Sequence, residues 1–228
     1  MVDWEKNWRG AGIGAALLFI VSYVFYGSQP KVGASAGDLV SFYDGDSTRV
    51  LIATVIFGFA TLNLIWFAVA LGGVLRDAGK GGWGTAATAA GAAIGAVYFV
   101  LIALRSGLAY SIAGSGSDQV TSAVNDLVWV VMSLSWFPVA MLVMAGSFGL
   151  HRAGLISNAA FGAGVTAMVL LLLGTTTWAG DGFWAPDGGY SRFVPTLVML
   201  AWITVVSGFL VRRLSKESAP GGAPVPAA

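Results

Sequence analysis

The sequence predicts an all-α fold, a polytopic membrane helical bundle of six transmembrane helices. Three observations carry the prediction. Only 10% of the 228 residues are charged and 57% are hydrophobic, whereas a soluble domain carries about 25% charged residues. Six apolar runs approach the roughly 20 residues that a helix needs to cross the hydrocarbon core. Those runs are continuous, without the two-residue alternation of a membrane barrel. The mean hydropathy of +0.79 points the same way.

The runs lie at about 10–26, 50–75, 84–109, 127–150, 158–179 and 193–211. Together they form one domain, residues 1–214, followed by a Pro/Gly/Ala-rich tail, 215–228. The tail has nothing to bury, so it is expected to be disordered. The first run also has some marks of a signal peptide, with "WEKNWRG" before it and "ASA" after it. A retained helix is the better reading, because the lead contains acids and the small triplet lies well beyond the apolar stretch.

Lys and Arg in short loops set orientation. With the N-terminus inside, Lys6, Arg9, Arg76, Lys80, Arg152, Arg212, Arg213 and Lys216 are cytoplasmic, and only Lys31, Arg49, Arg105 and Arg192 lie outside. Most acids fall outside, among them Asp38, Asp44, Asp46, Asp118, Asp126, Asp181 and Asp187. Both termini are therefore expected in the cytoplasm, and the outer mouth is acidic. Aromatic rings mark both interfaces, with Trp4, Trp8 and Trp83 inside and Tyr43, Tyr110, Trp129, Trp178, Trp184 and Tyr190 outside.

Small residues provide the packing faces. Gly91 and Gly95 stand four apart in the third run, as do Gly10 and Gly14 in the first. Such faces admit close backbone approach, either inside one bundle or across a homo-oligomer. The third helix is the expected bundle centre. Pro138 should kink the fourth, because it removes a backbone bond and frees a carbonyl near Ser133, Ser135 and Trp136. Thr175, Thr176 and Thr177 close the fifth run, where their hydroxyls can bond back to helix carbonyls.

The chemistry on offer is limited. There is no cysteine, and His151 is the single histidine. Thiolate sites, bis-histidine haem and multi-histidine metal centres within the chain are thereby excluded. No span carries a lysine for a Schiff base, a mid-span carboxylate for proton relay, or an arginine ladder. Hydrolase and nucleotide-loop motifs are missing. The net charge of +1 gives no field for nucleic acid. No catalytic residue, metal or cofactor is therefore assigned.

The candidate binding residues form an outer-mouth charge cluster of Asp44, Asp46, Arg49, Arg105 and Asp126. "DGDSTR" fails as a calcium loop, since Arg49 and Val55 stand where glycine and glutamate are needed. Asp46 or Ser47 is expected to cap the second helix. Arg105 follows a 20-residue apolar run from Thr85 to Leu104. If the helix continues past it, the guanidinium needs a partner; Asp126 is the expected one, with Asp44 sharing. Asn63, Ser133 and Ser135 are the intramembrane polar candidates, and Asn63 reads best as glue between helices.

"SAGDLVSFYDGDSTRV", "GGVLRDAG" and "NDLVWVVMSLSWFPVAMLVMAGSFGLHRAG", within a six-span layout, resemble the uncharacterised six-helix integral membrane proteins of actinobacteria, a domain-of-unknown-function family. The resemblance covers most of residues 10–212. It implies a bacterial plasma-membrane location and carries no activity. Three classes of function stay open. The leading one is a non-catalytic module binding a lipid or a membrane-protein partner. The others are a small-solute transporter or channel, and a lipid-modifying enzyme built on the Arg/Asp cluster.

Overall fold

The computed structural model describes residues 4–217, with side chains described from Trp8 to Arg213. The tail expected to be disordered, the side chains of Trp4, Lys6 and Lys216, and residues beyond 217 lie outside that description.

The described residues form eight helices and no strand. They are α1 (Trp4–Tyr26), α2 (Ala36–Val40), α3 (Ser47–Asp77), α4 (Gly81–Gly107), α5 (Asp118–Leu134), α6 (Trp136–Arg152), α7 (Asn158–Gly174) and α8 (Gly189–Glu217). A π-helical turn, Ser41–Gly45, links α2 to α3. Another, Leu108–Ile112, extends α4. Five stretches are long and apolar enough to cross a membrane: Trp8–Tyr26, Ser47–Asp77, Gly81–Ser115, Asp118–Arg152 and Gly189–Arg213.

The fifth run differs from the expectation. It ends at Gly174 rather than near 179 and gives a helix of 17 residues. At 1.5 Å per residue that spans about 25 Å, short of the roughly 30 Å hydrocarbon core. The cause is local. The hydroxyls of Thr175, Thr176 and Thr177 donate to the carbonyls of Leu172, Leu173 and Gly174. The indole N–H groups of Trp178 and Trp184 donate to the carbonyls of Thr175 and Thr176. The backbone tightens as the helix closes, with the Thr175 and Thr176 N–H groups donating to Leu172 O and Leu173 O three residues back, and the side-chain bonds add to that closure.

The fourth run bends as expected. It breaks at Ser135, whose hydroxyl donates to Met132 O at 2.6 Å. Pro138 falls in the first turn of α6, where a missing N–H leaves no backbone bond unmade.

One end of the bundle gathers the α3–α4 turn and the α6–α7 connection with Arg76, Arg152 and Arg213; it is called the basic end. The opposite, acidic end gathers Asp44, Asp46, Asp118 and Asp126. Glycines bring the helices together within the chain. A β-carbon on Gly91 would meet Ala68, and one on Gly95 would meet Ile65 at 2.6 Å, so this face of α4 lies against α3. Gly72 and Gly84 place α3 and α4 backbone to backbone, because a β-carbon on Gly72 would come 2.8 Å from Gly84 O. Gly12 lets α1 reach Ile203 and Ser207 of α8, and the Ser207 hydroxyl donates to Arg9 O at 2.5 Å. The centre is aromatic: Phe67 meets Trp202 edge-on at 6.1 Å, and Phe19 meets Tyr98 at 5.8 Å.

Gly84→Val places a branched side chain on the Gly72 carbonyl and Arg76 Cγ, where backbone cannot yield. Overpacking of this kind costs about 1–3 kcal/mol. Thermal unfolding in detergent should therefore shift down for Gly84→Val. Gly82→Ala, with open space around it, should leave the midpoint in place.

Candidate ligand site at the acidic end

The expected charge cluster does not assemble as one group. Asp46 stands at the N-cap position of α3 but makes no side-chain cap bond. Its carboxylate instead takes the Arg49 guanidinium at 2.6 Å, with the two side chains 41% and 53% exposed. An ion pair so exposed contributes about 0–1 kcal/mol. Arg49 also lies over the Phe42 ring at 5.5 Å. Asp44 is exposed and faces Gly114, where a β-carbon would lie 2.8 Å from its carboxylate.

The Arg105–Asp126 pair is also not made. Among the described residues, no carboxylate lies within 4.0 Å of the Arg105 guanidinium. Asp126 does not open its helix. It sits two turns into α5, which starts at Asp118. There it turns to the 27–35 loop and accepts the Gly33 N–H at 3.2 Å.

The α4 helix does run past Arg105, as expected, so this arginine lies within the bundle wall. Its partner is Gln29: Arg105 Nη2 donates to Gln29 Oε1 at 2.8 Å. The guanidinium also lies over the rings of Tyr26, at 4.6 Å, and Phe57, at 5.9 Å. A second arginine converges on the same residue. Arg192, near the start of α8, donates from Nη2 to the Gln29 carbonyl at 3.3 Å and lies 5.0 Å over the Trp129 ring.

Side chains of α5 hold this arrangement in place. Trp129 Nε1 donates to Pro30 O at 2.9 Å, and Asn125 Nδ2 donates to Lys31 O at 3.0 Å. The Tyr43 hydroxyl donates to Asn125 Oδ1 at 3.0 Å. Burial, with Tyr26 beside it, pushes the Tyr43 hydroxyl above its ordinary pKa, so it remains a proton donor. The loop from Gly27 to Ser35 is thus pinned at successive carbonyls. Gly27 opens it with φ +74°, a conformation that costs glycine little.

Both arginines line a cavity of about 400 Å³ between α1, α4, α5 and α8. Its lining includes no aspartate or glutamate. Gln29 is only 9% exposed, and its Nε2 has no partner. Arg105 Nε, Arg192 Nε, Ser191 Oγ and Trp136 Nε1, all on lining residues, are likewise buried without one. Phe19, Phe57 and Tyr98 line the inner wall, with the Phe57–Tyr98 rings 5.2 Å apart. Four apolar or aromatic lining residues, Ile20 and Tyr23 on α1 and Phe193 and Leu197 on α8, are exposed at the surface. A second space of about 510 Å³ between α6, α7 and α8 is larger, but its lining carries no charged residue to orient a ligand.

The intramembrane candidates lie elsewhere. Asn63 faces Gly14 of α1, its oxygen 3.2 Å from where a β-carbon would stand, while its Nδ2 donates to Phe59 O. Ser133 and Ser135 are fully buried and do not line the cavity, although their neighbour Trp136 does.

Gln29, Arg192, Asn125 and Trp129 were not legible as site residues. The only local hint is a glutamine between a turn glycine and a proline, in "GSQP".

Comparison with protein families, curated proteins and solved structures finds no match.

Asn125→Ala leaves the buried Tyr43 hydroxyl without its acceptor and takes one of two donors from the Lys31 carbonyl, which keeps the Ala34 N–H; the change should destabilise the fold by about 1–3 kcal/mol. Tyr43→Phe in the same background should cost less than it does alone, because the partner is already gone. A double-mutant cycle read by thermal unfolding checks both expectations.

Proposed function

We propose that the protein is an integral membrane module that binds one lipid molecule in the cavity at its acidic end. The observation that carries this reading is the combination of an exposed apolar mouth, at Ile20, Tyr23, Phe193 and Leu197, with buried polar groups at the back. Sites for amphiphilic ligands pair an apolar wall with a few convergent polar groups. Binding rather than passage is favoured by the inner wall. Phe19, Phe57 and Tyr98 pack edge to face there, and the Tyr98 hydroxyl points to Met199 Sδ at 3.5 Å. No reactive pair of side chains stands in the lining, so catalysis forms no part of the proposal.

The reading includes six spans in a bacterial plasma membrane, with the basic end and both termini in the cytoplasm. The excess of Lys and Arg at the basic end supports that orientation. The short α7 completes the count by local thinning of the bilayer around it.

Release of the chain from native-membrane nanodiscs into a mass spectrometer should show one retained lipid per protein. Thr196→Trp, which fills the mouth of the cavity, should remove it without lowering the unfolding midpoint. A bare wild-type chain would refute lipid binding. A stoichiometric second protein in place of the lipid would favour partner binding.

The natural absence of cysteine allows a clean topology test. Ser117→Cys at the acidic end should react with an impermeant maleimide in intact cells. Asp77→Cys at the basic end should react only after permeabilisation. The reverse pattern would overturn the orientation.

A further inference from the structure

We infer that the cavity's occupant presents an anionic oxygen headgroup, a phosphate ester or carboxylate, to Arg105 and Arg192, with its hydrocarbon chain leaving between α1 and α8. The inference rests on the lipid-binding reading and adds the headgroup chemistry.

Its basis is an imbalance of donors and charge. Arg105 and Arg192 each give one Nη2–H to Gln29, a neutral residue. Their Nε groups are buried without a partner, and so is Gln29 Nε2. Each of these three can only donate a hydrogen bond. Ser191, 1% exposed, adds a hydroxyl without a partner. The group that satisfies them must therefore be rich in acceptors.

Charge makes the same demand. Two guanidinium groups face a lining without a carboxylate, and ionisable groups at membrane depth are costly unless paired. The nearest expected acid, Asp126, is turned away toward the Gly33 N–H. Gln29 cannot neutralise either arginine. The planar guanidinium fork matches phosphate and carboxylate oxygens two at a time. A zwitterionic headgroup would bring a further cation toward two arginines.

The tail has a matching path. Phe193 and Leu197 on α8 face Ile20 and Tyr23 on α1 across the cavity mouth, and all four are exposed apolar or aromatic side chains. Deeper in the bundle, α1 and α8 close on each other at Gly12 and Ser207. The separation above that contact leaves room for a chain.

The test uses the full-length protein in a neutral maltoside detergent, titrated with dioleoyl phosphatidylglycerol, dioleoyl phosphatidylcholine and inorganic phosphate. Binding is read by native mass spectrometry and by tryptophan emission, since Trp129 and Trp136 line the cavity. Phosphatidylglycerol is expected to bind at least 10-fold tighter than phosphatidylcholine. Arg105→Gln with Arg192→Gln should bring the two lipids to parity, and Arg105→Lys with Arg192→Lys should keep part of the preference. Because the comparison of lipids on the unaltered chain decides the question, a poorly folded double variant does not rescue the inference. Equal binding of both lipids overturns the anionic headgroup and leaves lipid binding standing. No binding of either lipid, with none of the phosphate, overturns both. Phosphate binding without lipid binding keeps the anion chemistry and overturns the lipid reading.

Discussion

Gln29 holds two arginines that no carboxylate answers. Its side-chain oxygen takes Arg105 and its main-chain oxygen takes Arg192. The acidic end of the bundle is organised around that pair of bonds. Gln29 is the buried residue of its loop, and a buried polar group is costly unless it is hydrogen-bonded. The 27–35 loop is held by side chains at three successive carbonyls. Asn125 and Trp129 on α5 tie its carbonyls, and Tyr43, carried on the π-helical turn, ties Asn125. What the protein does not supply is a negative charge. Two unit charges about 4 Å apart interact with about 4 kcal/mol at an effective dielectric constant of 20. An incoming anion would gain that attraction less the cost of stripping water from both charges.

The second constraint is close approach. Lipid tails are as apolar as leucine, so helices associate through packing rather than through escape from water. Gly72, Gly84, Gly91 and Gly95 let α3 and α4 touch along much of their length, and Gly12 does the same for α1 and α8. Ala68, Ile65 and Thr88 fill the space that those glycines leave. The bundle is thus closest where side chains are smallest. It opens where α1 and α8 carry Tyr23, Tyr26, Phe193 and Leu197 instead. The cavity follows from this change in side-chain size along the two helices.

Several features were legible from local pattern. Apolar run length marked the helices, and Pro138 marked the bend near Ser135. The glycine spacing in the third run marked a close-packing face, and the structure puts α3 against it. The threonine cluster was recognised as bonding back to carbonyls, but its consequence was not. α7 ends at Gly174, where the chain closes through three-residue backbone bonds and threonine back-bonds together, and is left short. Asp46 shows the opposite failure. Its type and position suit a helix cap, yet Arg49 one turn later wins the carboxylate.

The sequence by itself determined the medium and the secondary structure, because hydrophobic run length and charge scarcity are properties of consecutive residues. It also showed that Arg105 needs a partner. Only the tertiary structure decided which one. Gln29 is separated from Arg105 by α2, α3 and most of α4, and Asp126 by the turns after α4 and half of α5; which of the two arrives depends on how helices rotate about their axes. That rotation is set by glycine contacts and by three carbonyl-to-side-chain bonds on α5 and α8, none of which has a periodic signature along the chain.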